Sequence, residues 1–369
     1  MRLGRPSVAD RMRLGLCLAA GTAACSPGAS SPRASVAANV VSVMASAADQ
    51  VQVIPRLDEQ RVDVLVGGKP FTSYIHPASL KKPVLFPLRT ASGTIVTRGY
   101  PLEPRPGERV DHPHHAGLWF NYGNVNGLDF WNNSTAIKPE NAATMGTILH
   151  RSVDGTHSGP GEGSLDATSE WVSAGGTPLL RENVHFVFRA RTDLRTIDRI
   201  TTLTALGQSV LFTDDKEGLI GTRVARGLEQ PSNVPEKFTD ASGHTTTVAV
   251  LDNTGVAGRY LSSEGKAGDA VWGTRGRWVT LTGVVNGEPV RIAMLDHPKN
   301  PGFPTYWHAR GYGLFAANPF GQKIFSNGKE QLNFQLAAGE SVTFRHEVLI
   351  MTGQVASQDI EPYYDSFTR

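Results

Sequence analysis

Short runs of alternating apolar and polar residues, each closed by a turn signal, recur along most of this chain. The clearest pair is residues 278–285 and 290–295, which flank Asn286 and Gly287, a dipeptide that favours a tight type I′ hairpin turn. A side-chain period of two is typical of strands with one buried face. Further strands are predicted at residues 61–66, 171–173, 184–188, 196–205, 332–335 and 342–345. The pattern predicts an all-β fold, a large β-sandwich or supersandwich with long Gly/Pro/aromatic loops.

The charge and length of the chain indicate which kinds of binding partner it lacks and how many domains it forms. The formal net charge is only +2 and the Lys and Arg residues are scattered, so the chain lacks the basic patch that binds nucleic acid or anionic membranes. No apolar run approaches the length of a membrane span. All-β domains often run long as single units, and residues 51–369 are therefore predicted to form a single β-sandwich domain.

The first 25 residues are typical of a bacterial export signal, in which basic residues precede a short apolar run and then small residues. The small-residue site that ends at Cys25 resembles a lipoprotein cleavage site, which predicts a lipid anchor there. The alternative is ordinary signal cleavage near residue 47. Residues 26–50 are rich in Ser, Ala and Pro and are predicted to be a tether. The protein is expected to be exported, as a periplasmic, cell-surface or secreted protein.

Both cysteines of the chain, Cys17 and Cys25, lie in this export signal. The predicted domain therefore has no disulfide, no thiolate metal ligand and no cysteine nucleophile. The sequence also lacks the G-x-S-x-G nucleophile elbow, the P-loop and the H-E-x-x-H zinc motif. What remains is proton transfer, or metal-assisted reaction, by His, Tyr, Glu and Arg side chains.

Two segments, residues 101–133 and 296–322, interrupt the strand pattern and are dense in Gly, Pro, Asn, His and aromatic residues. Loops on a rigid scaffold commonly carry function. Five of the eleven histidines lie in these segments, namely His112, His114, His115, His297 and His308. Although the segments are far apart in sequence, we predict that they line one pocket.

The densest histidine cluster lies between Asp111 and His115. Pro113 favours an extended backbone at His112, and continued extension would place His112 and His114 on one side, with His115 pointing away. His112 and His114 would then ligate a metal or hold a substrate together, while His115 packs and Asp111 orients a neighbouring imidazole. The alternative is a Pro-rich turn in which these imidazoles only bond backbone carbonyls.

The rest of the first segment alternates aromatic rings with amides, which suits sugars because rings stack on C–H faces and amides bond hydroxyls. In the second segment Tyr306 and His308 would share one face of a strand. Glu217, which precedes a glycine at a strand end, is a candidate general base. The predicted catalytic residues are His112, His114, Glu217, Tyr306 and His308. The predicted substrate-binding residues are Trp119, Asn124, Asn126, Asp129, Trp131, Arg223 and Arg310.

Long motifs at residues 111–120, 126–131 and 296–321 resemble the PmoA-like family, whose members are often named methane oxygenase PmoA in bacterial genomes. The resemblance spans roughly residues 51–351. It implies a role on sugars, since relatives accompany glycan-breakdown proteins and the loops are similar to those of galactose-mutarotase-like supersandwiches. The family name instead implies a methane-oxidising subunit, but the membrane subunit of that enzyme is built of spanning helices. Ala116 stands where the family usually has Arg.

These observations predict an exported, carbohydrate-active enzyme that does acid–base chemistry on a sugar or glycoside, as an epimerase, lyase or hydrolase. Its ligand is expected to be a carbohydrate or another small molecule. One alternative is a histidine-ligated metalloenzyme of the oxygenase kind. A divalent metal would then be the cofactor, with ligands drawn from His112, His114, His297 and His308; otherwise no cofactor is predicted. The second alternative is a sugar-binding lipoprotein without catalytic activity.

Overall fold

The computed structural model describes residues 50–353, 356 and 358–369. All of them belong to one compact unit. The predicted export signal, the Cys25 anchor and the tether up to residue 49 lie outside the described residues. Within the part of the chain that is described, no helix combines the length and apolar character needed to cross a membrane.

The regular structure of the described residues is almost all β, as the sequence predicts. The first ten strands are β1 (Gln50–Arg56), β2 (Arg61–Val66), β3 (Lys69–Ile75), β4 (Val84–Leu85), β5 (Leu118–Tyr122), β6 (Thr147–Pro160), β7 (Glu162–Val172), β8 (Pro178–Arg191), β9 (Leu194–Ala205) and β10 (Val210–Phe212). The others are β11 (Gly218–Arg223), β12 (Glu236–Thr239), β13 (Thr245–Val248), β14 (Arg259–Ser262), β15 (Trp278–Val285), β16 (Glu288–Asp296), β17 (Tyr306–Arg310), β18 (Leu314–Asn318), β19 (Phe334–Leu336) and β20 (Ser341–Thr352). Two short helices are α1 (Gln322–Phe325) and α2 (Glu361–Thr368).

Sixteen of these strands pair in one large sheet, in the order β14-β15-β16-β20-β9-β8-β7-β6-β1-β2-β3-β4-β5-β11-β18-β17. Neighbouring strands in it run antiparallel. Among the described residues, β10 with β19 and β12 with β13 form two small additional sheets. The predicted all-β class is confirmed.

Strand β7 shows how the sequence pattern builds the core. Its side chains alternate between buried and partly exposed along most of the strand, so that Leu165, Ala167 and Trp171 face inward. The predicted hairpin of β15 and β16 is also confirmed. Asn286 and Gly287 both adopt positive φ, 51° and 81°, as a type I′ turn requires.

The two segments predicted as structured loops differ from that expectation, because they contain the three strands β5, β17 and β18. All five residues of β5 and all five of β18 are buried. A strand that is covered on both faces loses the alternation that identifies a half-buried strand, which explains why the sequence pattern missed it.

Strand β19 pairs with a strand that is distant in sequence. Residues 332–335 and 342–345 are predicted on either side of a turn, and the strands that form there are β19 and β20. They do not pair with each other: β19 pairs with β10, whereas β20 lies between β9 and β16 in the large sheet. Both strands form where the sequence predicts them, and their partners are distant in sequence.

Candidate active site

Two buried arginines hold the loop that precedes β5. Nη2 of Arg98 donates to the carbonyl oxygens of His112 and His115, each at 3.1 Å, and Nη1 contacts Asp111. Nη2 of Arg223 donates to both carboxylate oxygens of Asp111, at 2.7 and 2.8 Å. The side chains of Arg98 and Arg223 are 1% and 0% exposed, respectively, so water does not compete for these hydrogen bonds. The loop is therefore fixed in one conformation by charge-assisted hydrogen bonds.

Residues 112–115 form a tight turn, which makes the predicted extended arrangement wrong. The amide of His115 donates to the carbonyl of His112 at 2.9 Å, and His112 has a φ of +42°. The ring of His112 is parallel to that of His115, with centroids 4.9 Å apart, while the ring of His114 is turned by 75° from both. The turn bond and the grip of Arg98 on both carbonyls outweigh the extended preference imposed by Pro113.

His112 is the most exposed imidazole of this turn and is oriented by two neighbours. Its Nδ1 lies 3.1 Å from Asp111, so Nδ1 carries the proton and Nε2 remains an acceptor. The ring of Tyr312 stacks on that of His112, with centroids 5.2 Å apart. Burial opposes ionisation of Asp111, but the hydrogen bond from His112 and the charges of Arg223 and Arg98 hold the pKa of this carboxyl well below its usual range.

One pocket brings both predicted segments together. Its volume is 350 Å³, and its lining includes the histidine turn, the residues before β11 and the end of β17. The lining residues are His112, His114, His115, Lys216, Glu217, Trp272, His308, Arg310 and Tyr312. A second pocket of 690 Å³ shares His112, Trp272, Arg310 and Tyr312 with the first. The two together form a groove with room for more than the smallest sugars.

Glu217 supplies the carboxylate of the pocket. Its side chain is 15% exposed and forms an ion pair with Lys216. Burial raises its pKa, and the hydrogen bond and charge of Lys216 offset part of that rise. A carboxyl group whose pKa is raised toward neutrality is suited to accept and return protons.

His308 faces the same pocket in a single tautomer. Its Nδ1 lies 2.9 Å from the carbonyl oxygen of Lys216, which can only accept, so Nδ1 is protonated and Nε2 keeps a lone pair. Burial lowers the pKa of His308 to about 3, with Lys216 and Arg310 acting in the same direction. Burial, followed by the charge of Lys82, lowers the pKa of His114 to about 2. Both imidazoles are therefore neutral hydrogen-bonding groups at pH 7.

Two aromatic rings form the wall of the pocket, and sequence reasoning missed both. Trp272 is 37% exposed, and the guanidinium of Arg310 lies 5.4 Å from its ring centre. Tyr312 lies in the turn between β17 and β18, where Gly313 has a φ of +90°. An aromatic residue between two glycines was the available signal for Tyr312. Trp272 lies outside both segments, and the only sequence signal for its exposure is its position in a turn that contains glycine.

Several predicted site residues do not reach the pocket. Tyr306 packs on Phe325 at 5.4 Å and under Arg275, and His297 lies edge-on to Phe367 of α2. Trp119 and Trp131 are buried beneath the histidine turn; Trp119 stacks on His115 at 5.1 Å. Arg223 is the fully buried partner of Asp111.

The amide and carboxylate residues after β5 have local structural contacts instead of lining the pocket. Oδ1 of Asn124 accepts from the Gly127 amide at 3.1 Å, and Asn126, with a φ of +51°, bonds the backbone of Ser209 and Leu211. Asp129 accepts hydrogen bonds from residues 131 and 132. Asn and Asp commonly stabilise turns in this way.

The four predicted metal ligands do not all lie in the same pocket. His112, His114 and His308 share the pocket, but His297 does not. Among residues 50–353, 356 and 358–369, no three His, Cys, Asp or Glu side chains are grouped so that they could hold a metal ion.

Comparison with solved structures returns chains of low similarity. The GH36 alpha-galactosidase AgaA from Geobacillus stearothermophilus, in complex with stachyose, has 8% identity and a TM-score of 0.35 over 83% of this chain and 41% of that chain. The protein Slr1438 from Synechocystis sp. PCC 6803 has 9% identity and a TM-score of 0.29, over 82% and 96% of the two chains. The 4-alpha-glucanotransferase from Thermococcus litoralis has 8% identity and a TM-score of 0.25, over 82% and 39%.

The present chain thus spans less than half the length of the galactosidase that it matches. These TM-scores are too low for the similarity to indicate a function. A functional conclusion therefore rests on the residues of the pocket. No curated protein sequence matches the chain significantly. Residues 61–365 match the family of unknown function DUF6807, and because this match covers most of the chain, the protein belongs to that family.

Proposed function

We propose that this protein is a carbohydrate-active enzyme in which Glu217 and His112 transfer protons to and from a bound sugar. The observation that carries the proposal is the composition of the pocket. It combines a carboxyl group of raised pKa with a carboxylate-oriented imidazole, and both lie beside the rings of Trp272 and Tyr312. The resemblance of the loop motifs to the PmoA-like family, and through it to mutarotase-like supersandwiches, supports the same substrate class.

The aromatic wall argues for a sugar as the ligand. The ring of Trp272 is exposed at the point where the two pockets meet, and an amphipathic ring with an open face can stack on the C–H face of a sugar. A sugar that stacks on this ring would present its hydroxyls to the acceptor nitrogen of His308. Neutral imidazoles suit this task because they accept and donate hydrogen bonds without binding a counter-ion.

Glu217 and His112 divide the proton transfer between them. Glu217 accepts a proton from the sugar, since its raised pKa makes the carboxylate a stronger base than an ordinary glutamate. His112, in the form that carries a proton on both ring nitrogens, returns the proton of Nε2 to the sugar and is left neutral, while Asp111 holds its Nδ1–H and stabilises the charged form. His308 and His114 orient the substrate. The chain is further proposed to be exported, as the sequence of residues 1–25 predicts.

The test is turnover of a panel of sugars and methyl glycosides in D₂O, followed by proton NMR. This measurement detects deuterium exchange at ring carbons, anomer interconversion, elimination and glycoside cleavage in one spectrum. Glu217→Gln should lower the rate about 10²- to 10⁴-fold, the contribution typical of one acid–base group. Glu264→Gln, an exposed glutamate outside the pocket, is the matched control and should keep full activity.

Three outcomes would contradict the proposal. Saturable sugar binding without turnover of any panel member would identify a binding protein instead. Turnover that survives Glu217→Gln, in a variant with an unchanged melting temperature, would remove Glu217 from the reaction. Turnover that depends on an added divalent metal would favour the metalloenzyme alternative.

A further inference from the structure

We propose that the pocket selects sugars that carry a carboxylate, of the uronic acid class, and that Arg310 binds this carboxylate. The inference rests on the proposed function and names its substrate class. Two observations lead to it: the guanidinium of Arg310, which no carboxylate of the described residues neutralises, and the position of Arg310 where the two pockets join.

Arg310 is the last residue of β17, and its side chain is exposed. Its guanidinium carbon lies 5.4 Å from the ring centre of Trp272 and 5.9 Å from that of Tyr312. Within the described part of the chain, no carboxylate forms an ion pair with it. Stacking therefore holds the planar group while its N–H donors remain available, an arrangement that suits bidentate binding of a carboxylate.

Cations and carboxylates both line the two pockets. Lys216 is paired with Glu217, and the larger pocket adds the carboxylates of Glu236 and Asp269. Arg310 is the lining arginine that forms no ion pair with a carboxylate of the described residues. Its charge is therefore available to a carboxylate of the ligand.

The position of Arg310 defines where the carboxylate would lie. Arg310 lines both pockets, together with Trp272 and Tyr312. A sugar ring stacked on Trp272 would place a substituent at Arg310 while its ring carbons face His112 and Glu217. A hydroxymethyl group at the same place offers the guanidinium one uncharged acceptor, whereas a carboxylate offers two charged acceptors in bidentate geometry.

The experiment compares two sugars that differ only in this group. Methyl β-D-glucuronide and methyl β-D-glucoside are titrated calorimetrically into the full chain at low ionic strength, and the galacto pair is titrated in parallel. The uronide of at least one pair should bind about ten- to a hundred-fold more tightly than its neutral partner, the ratio expected for a charge-assisted contact. Arg310→Gln should reduce this ratio to near one, and Arg310→Lys should retain part of it.

Arg259→Gln is the matched control, because Arg259 is an exposed strand arginine outside both pockets. It should leave the ratio unchanged. Since Arg310 is also exposed, its substitution should leave the melting temperature unaltered. Added salt should weaken binding of the uronide and spare that of the glucoside.

Equal affinity for both members of each pair would overturn the inference, and so would a preference that survives Arg310→Gln. Neither result touches the proposed proton transfer, which depends on Glu217 and is measured by turnover. Conversely, an Arg310-dependent preference for uronides without Glu217-dependent turnover would support the present inference while contradicting the proposed function.

Discussion

Nη2 of Arg223 donates to both oxygens of Asp111, at 2.7 and 2.8 Å, and the same carboxylate lies 3.1 Å from Nδ1 of His112. A single carboxylate thus connects a fully buried cation with an imidazole that faces the pocket. The orientation of His112 and the stability of the domain therefore depend on one side chain.

Asp111→Asn should destabilise the domain strongly. The substitution leaves the guanidinium groups of Arg98 and Arg223 buried without a counter-ion, and loss of one partner of a buried pair typically costs about 3–5 kcal/mol in the free energy of unfolding. Urea denaturation measures the change. Asp58→Asn, an exposed aspartate, is the matched control, with an expected change within about 0.5 kcal/mol. A similar small change in both variants would show that the pair is not a stabilising one.

The carboxylate of Asp111 should also make the free energy of unfolding depend on pH in the acidic range. Its folded pKa lies below the unfolded value of about 3.9, so its contribution is complete above that pH and decreases as the pH falls below it. The stability difference between wild type and Asp111→Asn should therefore be constant from about pH 7 to 5 and shrink below about pH 4. Urea titrations at several pH values test this; a difference that persists unchanged into strong acid would refute it.

The activity profile should report the raised pKa of Glu217. A general base must be ionised, so the acidic limb of kcat/KM against pH should lie above the value of about 4.3 that is usual for glutamate. Lys216 lowers this pKa through its hydrogen bond and charge, so Lys216→Met should move the limb to higher pH. Lys266→Met, an exposed lysine outside the pocket, should not move it. An unmoved limb in Lys216→Met would assign the titration to another group.

Trp272→Ala should weaken sugar binding about ten-fold, because it removes the exposed ring on which the sugar is proposed to stack. Trp272→Phe should retain most of the affinity. Since the side chain is partly exposed, both variants should melt close to the wild-type temperature. Calorimetric titration with the tightest-binding sugar of the panel measures the effect. Undiminished affinity in Trp272→Ala would place the sugar elsewhere in the groove.

Cys25→Ser tests the predicted lipid anchor, which lies outside the described residues. If Cys25 is lipidated in the native bacterium, wild type should sediment with the membrane fraction and the variant should not. A lipoprotein cysteine carries more than one acyl chain, which is enough for stable anchoring, whereas the described residues include no membrane-spanning helix. Identical fractionation of both proteins, with a mature N-terminus near residue 48, would show ordinary signal cleavage.

Much of the fold could be read from local sequence. The alternation in β2 and in the second half of β9, and the Asn286-Gly287 turn, follow from side-chain periodicity and backbone sterics, which act between neighbouring residues. Glu217 and His308, which line the pocket, could be identified from the sequence as candidate site residues. They lie where polar residues interrupt an otherwise regular strand pattern.

The arrangement of the site could not be read in the same way. His112 adopts a positive φ because Arg98, buried and distant in sequence from the turn, binds the carbonyls of residues 112 and 115. Trp272 reaches the pocket from outside both histidine-rich segments, and Tyr306 is withdrawn from it by packing on Phe325. The sequence by itself determined an all-β chain and the chemical groups available to it. Only the tertiary structure decided which of them share a pocket, because pairing between distant strands and contacts between buried charges depend on the whole folded chain.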